Sequence, residues 1–178
     1  MKNLLVTLFV FIVLTVTQTF AYEARQFSTD TKIVAALNLL EQAGETDVFA
    51  NLKKNAVKIK FYNLSYGNVY AANTYDNTGR RVILINSIYE NAPVEQIACL
   101  IAHESQHHTF TNTRVEELRA WISETQAWSE FTKRNQELAQ SNEPLAKREN
   151  VIAKIRAKGG VQGIQKLIAT NPVYAELN

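Results

Sequence analysis

Residues 103–107 read His-Glu-Ser-Gln-His, an H-E-x-x-H pattern. On an α-helix, positions four apart lie one above the other, so His103 and His107 would present two imidazoles to one metal ion. Glu104 is turned by about 100° from His103. It therefore flanks the ion instead of joining the stripe, which is where a carboxylate can take a proton from a water activated by the metal. The chain has three histidines, and all of them fall at 103, 107 and 108. That concentration suits a metal site better than a surface helix of polar residues.

Two histidines leave a catalytic zinc one ligand short, because such sites carry three protein ligands and keep a position open for water. His108 lies one residue after His107, on another side of the helix, and is expected to be exposed. The third ligand is then a carboxylate. Thr113-x-x-Glu116 fits a capping box, which gives Glu116 a structural role and leaves Glu117 free. If the two helices form a hairpin turning near Asn112, His107 and Glu117 lie equally far from the turn and face each other. His103 faces Trp121 by the same rule. The order of candidates is Glu117, then Glu116, then Glu124. Glu124 falls opposite Leu100, too deep to reach the ion. It is expected as an exposed helix carboxylate, with a hydrogen bond to a liganding histidine as the alternative. Cys99, four residues before His103, is expected as a small buried hydrophobe.

Several elements must hold these residues. Ser28-Thr29-Asp30 marks a helix start, the apolar face of residues 33–40 follows, and Gly44 is a stop. A short second helix is expected over Val48 to Leu52. Val57, Ile59 and Phe61 alternate with Lys58, Lys60 and Tyr62, as in a half-buried strand. Val69 to Tyr75 is a second strand, and Asp76-Asn77-Thr78-Gly79 supplies a turn. Val82 to Ile85 is a short apolar run, as in a strand buried on both faces. Short connections between the three suggest an antiparallel meander, and the fold expected is α+β, a small antiparallel or mixed three-stranded sheet packed on the motif helix with further helices before and after it.

The motif helix is expected to be capped by Asn91 or Ala92, with Pro93 in its first turn and Glu95 at the positive end of its dipole. Ile97, Ala98, Leu100, Ile101 and Ala102 make it apolar nearly all round, so it is buried. Buried His and Glu need partners, and a metal provides them. A long helix is expected from about Arg114 to Ala139. Another begins at Ser141-Asn142-Glu143-Pro144, breaks at Gly159-Gly160 and ends near Asn171-Pro172. The segment Val161–Asn178 is expected to pack as structure.

Lys2, an apolar run from Leu4 to Val16, and Thr19-Phe20-Ala21 have the layout of a secretory signal peptide over residues 1–21, cleaved near Ala21-Tyr22. The run is shorter than the ~20 residues that cross a bilayer. Residues 22–178 then form one domain, secreted or periplasmic, with no stable membrane span. The net charge of +2 comes with no basic cluster, so nucleic acid is not an expected partner. A single cysteine excludes an internal disulfide, and stability must come from packing.

His103-Glu104-x-x-His107, followed by Glu117-x-x-Ala120 on the next helix, resembles the zincin metallopeptidases in their gluzincin arrangement. The resemblance covers roughly residues 56–128, including the order of strands, motif helix and glutamate helix. The spacer from His107 to Glu117 is shorter than in many gluzincins. The resemblance implies a helix-packed sheet whose edge strand binds an extended peptide, with Val69-Tyr70-Ala71-Ala72-Asn73 as that edge. It implies one Zn2+ held by His103, His107 and Glu117, with Glu104 as general base and a peptide or protein as substrate. Tyr75, Tyr174, Arg114 and His108 are candidate donors to the developing oxyanion. Two other classes fit the same residues: a zinc hydrolase acting on cell-wall or other amide bonds, and a non-catalytic zinc-binding module with a zincin-like fold. A structural site has no use for a base beside its ligands, so Glu104 argues against the latter.

Overall fold

In the computed structural model, residues 23–65, 69–108, 112–174 and 177 are described. The expected signal segment and its cleavage point lie outside them. The described residues form an α+β fold in the order α1 (Thr31–Gln42), α2 (Thr46–Lys54), β1 (Lys58–Tyr62), β2 (Ala71–Tyr75), β3 (Arg81–Asn86), α3 (Val94–Glu104), α4 (Arg114–Arg134) and α5 (Pro144–Thr170). Among them, no helix is long and apolar enough to cross a membrane.

Helix α1 starts where Asp30 accepts hydrogen bonds from the backbone N–H groups of Lys32 and Ile33, and it ends before Gly44, whose φ is 80°. Its buried residues Ile33, Ala36, Leu37 and Leu40 recur at helical spacing. They face the apolar side of α3, which is the central element of the fold and also contacts α4, β2 and β3. Every residue of α3 from Gln96 to Glu104 is buried. Ile97, Leu100 and Ile101 anchor it, each contributing roughly 1.5–3 kcal/mol of burial. Pro93 itself is the N-cap of α3, so the helix starts one residue beyond the expected Pro position.

The sheet order is β1-β3-β2, which corrects the expected meander. β1 pairs with β3 in parallel, and β2 pairs with β3 antiparallel. The tight turn at Asp76, whose Oδ1 accepts from the N–H groups of Thr78 and Arg80, makes β2 and β3 neighbours. The doubly apolar run of β3 takes the centre, where both sides are covered, and the lysine-bearing β1 goes to an edge. Alternation within a strand reports its faces and carries no information on which strand lies beside it. Asn86 secures the link from β1 to β2 by donating from Nδ2 to the carbonyls of Leu64 and Val69.

Helix α4 stops at Arg134, five residues short of the expected end, and a 3-10 turn over Gln136–Gln140 replaces its last turn. The break in α5 occurs at Gly160, with φ 58° and ψ −148°, and the chain doubles back. Gly163 then lies so close to Ile155 that an added Cβ would stand 2.8 Å from the Ile155 carbonyl oxygen. Ile164 and Ile168, on the returning half, join Trp121 and Ile152 in a small second core. This return delivers Pro172–Tyr174 to the side of α4 that bears Glu117.

Candidate metal centre

His103 sits in the last turn of α3, and His107 sits just beyond it. The expected α-helix through both histidines is therefore cut short at Glu104. The chain tightens there into i→i−3 bonds, from Gln106 N–H to His103 O and from His107 N–H to Glu104 O. Asn73 on β2 accounts for this ending, since its Nδ2 donates to the carbonyls of both Glu104 (2.9 Å) and His107 (3.0 Å). Two carbonyls that a continuing helix would have bonded internally are satisfied by one side chain from the sheet. The imidazoles still converge, with ring centroids 5.2 Å apart.

Glu117 comes from the first turn of α4. Thr113 accepts from the Glu116 N–H, and Glu116 Oε2 accepts from the Thr113 N–H, which completes the capping box. Glu116 Oε1 also accepts from the His108 N–H, so Glu116 joins the motif segment to α4 and has both oxygens engaged by backbone N–H groups. The box aims its neighbour inward. Glu117 Oε1 lies 3.7 Å from His107 Nε2, and Oε2 lies 3.7 Å from His103 Nε2. These separations are too long for hydrogen bonds. They are close to the ~3.4 Å edge of a tetrahedron with metal–ligand bonds of about 2.0–2.1 Å.

His103, His107 and Glu117 thus form a buried group whose ligand atoms all lie within 4.8 Å of one another and which could hold a metal ion. Glu117 Oε2 is buried and has no hydrogen-bond partner among the described residues, a costly arrangement that a cation would relieve. The donor set of two imidazoles and a carboxylate is one that zinc accepts.

The electrostatics also favour a cation. Burial drives His107 down to about 3, assisted by His103, so its imidazole is neutral and offers a lone pair. Burial works to lower His103 as well, but the carboxylates of Glu124, Glu104 and Glu117 together hold the ring above its ordinary range. Burial raises Glu117, against the pull of His103. Burial pushes Glu104 up to about 7, partly offset by His103. A cation at the centre would reverse each of these upward shifts.

The expectation of an exposed Glu124 is overturned. Glu124 is fully buried, and its Oε2 lies 2.9 Å from His103 Nδ1. That contact leaves Nε2 facing Glu117. Glu124 also binds Arg148 through both carboxylate oxygens. Burial opposes its charge, yet Arg148 and His103 hold Glu124 well below the usual carboxylate range. A stripe was visible in the sequence: Glu117, Trp121, Glu124 and Trp128 recur at spacings of four, three and four, which is one face of α4. Arg148 and Asn73 carried no comparable signal.

A cleft of about 460 Å³ opens onto the group. Glu104 lines it beside His103, His107 and Glu117, as do five consecutive residues, Val69 to Asn73, the last three of which begin the edge strand β2. Asn112 Nδ2 donates to Glu117 Oε1 at 2.9 Å. Of the four candidate oxyanion donors, Tyr174 lines the cleft, and Tyr75, Arg114 and His108 do not. Burial, and then the charge of Glu117, raise the Tyr174 hydroxyl above its usual range. His108 is half-buried rather than exposed. Cys99 is fully buried, its thiol raised by burial, and stands outside the group as expected. No protein-family model, curated protein or solved structure matches this chain significantly.

Proposed function

We propose that the protein is a zinc metallopeptidase working outside the cytosol, with a peptide or protein as substrate. The observation that carries this reading is the convergence of His103, His107 and Glu117 beside Glu104 at the floor of one cleft. A structural metal site would use the three ligands and have no role for a fourth, buried carboxylate beside them in the cleft.

Zinc bound by the three residues supplies a Lewis acid and brings the pKa of a bound water toward ~7. Glu104 accepts the proton of the attacking water and returns it to the leaving amine. Asn112 holds one oxygen of Glu117 and so fixes the carboxylate plane. Tyr174, which lines the same cleft, would donate to the developing oxyanion. Among the described residues β2 is an edge strand, and its residues Ala71 to Asn73 line the cleft, which supports an extended peptide binding as an added strand.

The test is metal analysis combined with digestion of a mixed peptide pool by the purified mature protein. One zinc per chain and cleavage abolished by a chelator are expected. Zinc-loaded protein that leaves every peptide intact would overturn the peptidase reading. Full zinc content in Glu117→Ala, with loss in Glu116→Ala, would overturn the ligand assignment.

A further inference from the structure

We propose that Arg148 is a positioning residue for the metal centre, clamping Glu124 against His103 and so fixing the ring that offers one of the three candidate ligand atoms. Its consequence for metal affinity rests on the zinc reading above, but the geometry stands apart from it. Glu124 Oε2 lies 2.9 Å from His103 Nδ1, and the same oxygen accepts from Arg148 Nη2 at 3.2 Å. Arg148 Nη1 donates to the other oxygen, Oε1. A guanidinium that grips both oxygens fixes the plane of the carboxylate. A carboxylate fixed in this way sets which nitrogen of its histidine carries the proton and how the ring is turned.

Arg148 is itself held by two aromatic rings and a second carboxylate. Its guanidinium carbon lies 4.9 Å from the ring centroid of Tyr70 and 4.7 Å from that of Trp121. Nη1 also donates to Glu149 Oε1 at 2.5 Å. Trp121 in turn meets the His103 ring edge-on at 5.4 Å. The ligand ring, the indole and the guanidinium therefore constrain one another, with contributions from α3, α4, α5 and the residue just before β2. Simple neutralisation of a buried carboxylate needs only a positive charge, which lysine supplies. A lysine ammonium is a point charge, so it can neither bridge both oxygens of Glu124 nor lie flat against two aromatic faces. Positioning and neutralisation therefore separate on one substitution.

The experiment compares Arg148→Lys with the unaltered protein and with Arg134→Lys, an exposed control. It reads zinc affinity by chelator competition, the visible spectrum of the cobalt-substituted protein, and the nitrogen shifts of His103 in the metal-free protein. Arg148→Lys should stay folded, bind zinc about 10–100-fold more weakly, shift the cobalt spectrum and lose the single His103 tautomer. Arg134→Lys should change none of these. Folded Arg148→Lys with zinc affinity within about twofold of the unaltered protein and an unchanged tautomer would overturn the proposal. If Arg148→Lys does not fold, Glu124→Gln carries the same expectation and the same contrary outcome. If the unaltered protein binds no zinc, the zinc reading fails, and the tautomer measurement still decides whether Arg148 positions His103.

Discussion

Glu104 and Glu117 stand on adjacent helices and face the same two imidazoles, yet their partners differ. Glu117 has one oxygen held by Asn112 and the other turned to His103, the bonding of a ligand. Glu104 lines the cleft beside the group without joining its ligand atoms, as the proposed base would. Glu117→Ala should therefore lower zinc affinity by more than about 100-fold, beyond what loss of a supporting group causes. Asn112→Ala should lower it by about tenfold, and equal effects in a chelator competition would contradict the division of roles. Protons and metal compete for these atoms. His103, Glu117 and Glu104 all hold protons above their ordinary ranges, so lowering the pH turns His103 into a cation without a free lone pair and the carboxylates into neutral groups that no longer attract a metal. Zinc affinity should rise from pH 6 to pH 8 and level off above that, whereas a flat profile in the same titration would speak against this electrostatic picture.

Asn73 bonds the carbonyl of Glu104, the last residue of α3, and that of His107 beyond it, so the position of His107 depends on the sheet as much as on the helix. Asn73→Leu should destabilise the fold by about 1–3 kcal/mol through unsatisfied carbonyls and weaken zinc binding along with it. Chemical denaturation and metal titration of one preparation would check both, and an effect on stability alone would separate Asn73 from the site. Gly163→Ala drives a Cβ to 2.8 Å from the Ile155 carbonyl oxygen and should cost about 1–3 kcal/mol. Because the return after Gly160 sets Tyr174 in the cleft, its melting temperature and hydrolysis should fall together. Much of this level was legible in the sequence. The spacing of His103 and His107, the box of Thr113 and Glu116, and the equal distance of His107 and Glu117 from Asn112 are local relations, and helix geometry translates them directly. Asn73 meets His107, and Arg148 meets Glu124, across 34 and 24 residues. Contacts of that range depend on how elements pack, which periodicity does not encode. The strand order was hidden for the same reason.

The whole molecule stabilises its site without a disulfide, relying on a core centred on α3 and on buried charges that offset one another. Arg148 lies between two buried carboxylates, one more negative group than it can neutralise. Burial, and then the charge of Glu124, keep Glu149 well above the ordinary carboxylate range. A carboxyl raised in the fold contributes stability below its unfolded value, and that stability is lost as pH rises through the folded value. Glu149→Gln cannot ionise, so its stability relative to the unaltered protein should improve between pH 5 and pH 8. Denaturation midpoints at the two pH values test this, and a difference that does not change with pH would contradict it. Hydrolysis tests the central claim most directly: a peptide pool incubated with unaltered protein and with Glu104→Gln, matched for bound zinc. Cleavage by the unaltered protein and a loss of about 10²–10⁴-fold in rate for the variant at full zinc occupancy are predicted. Equal cleavage by both, or none by either with one zinc bound, would contradict the account.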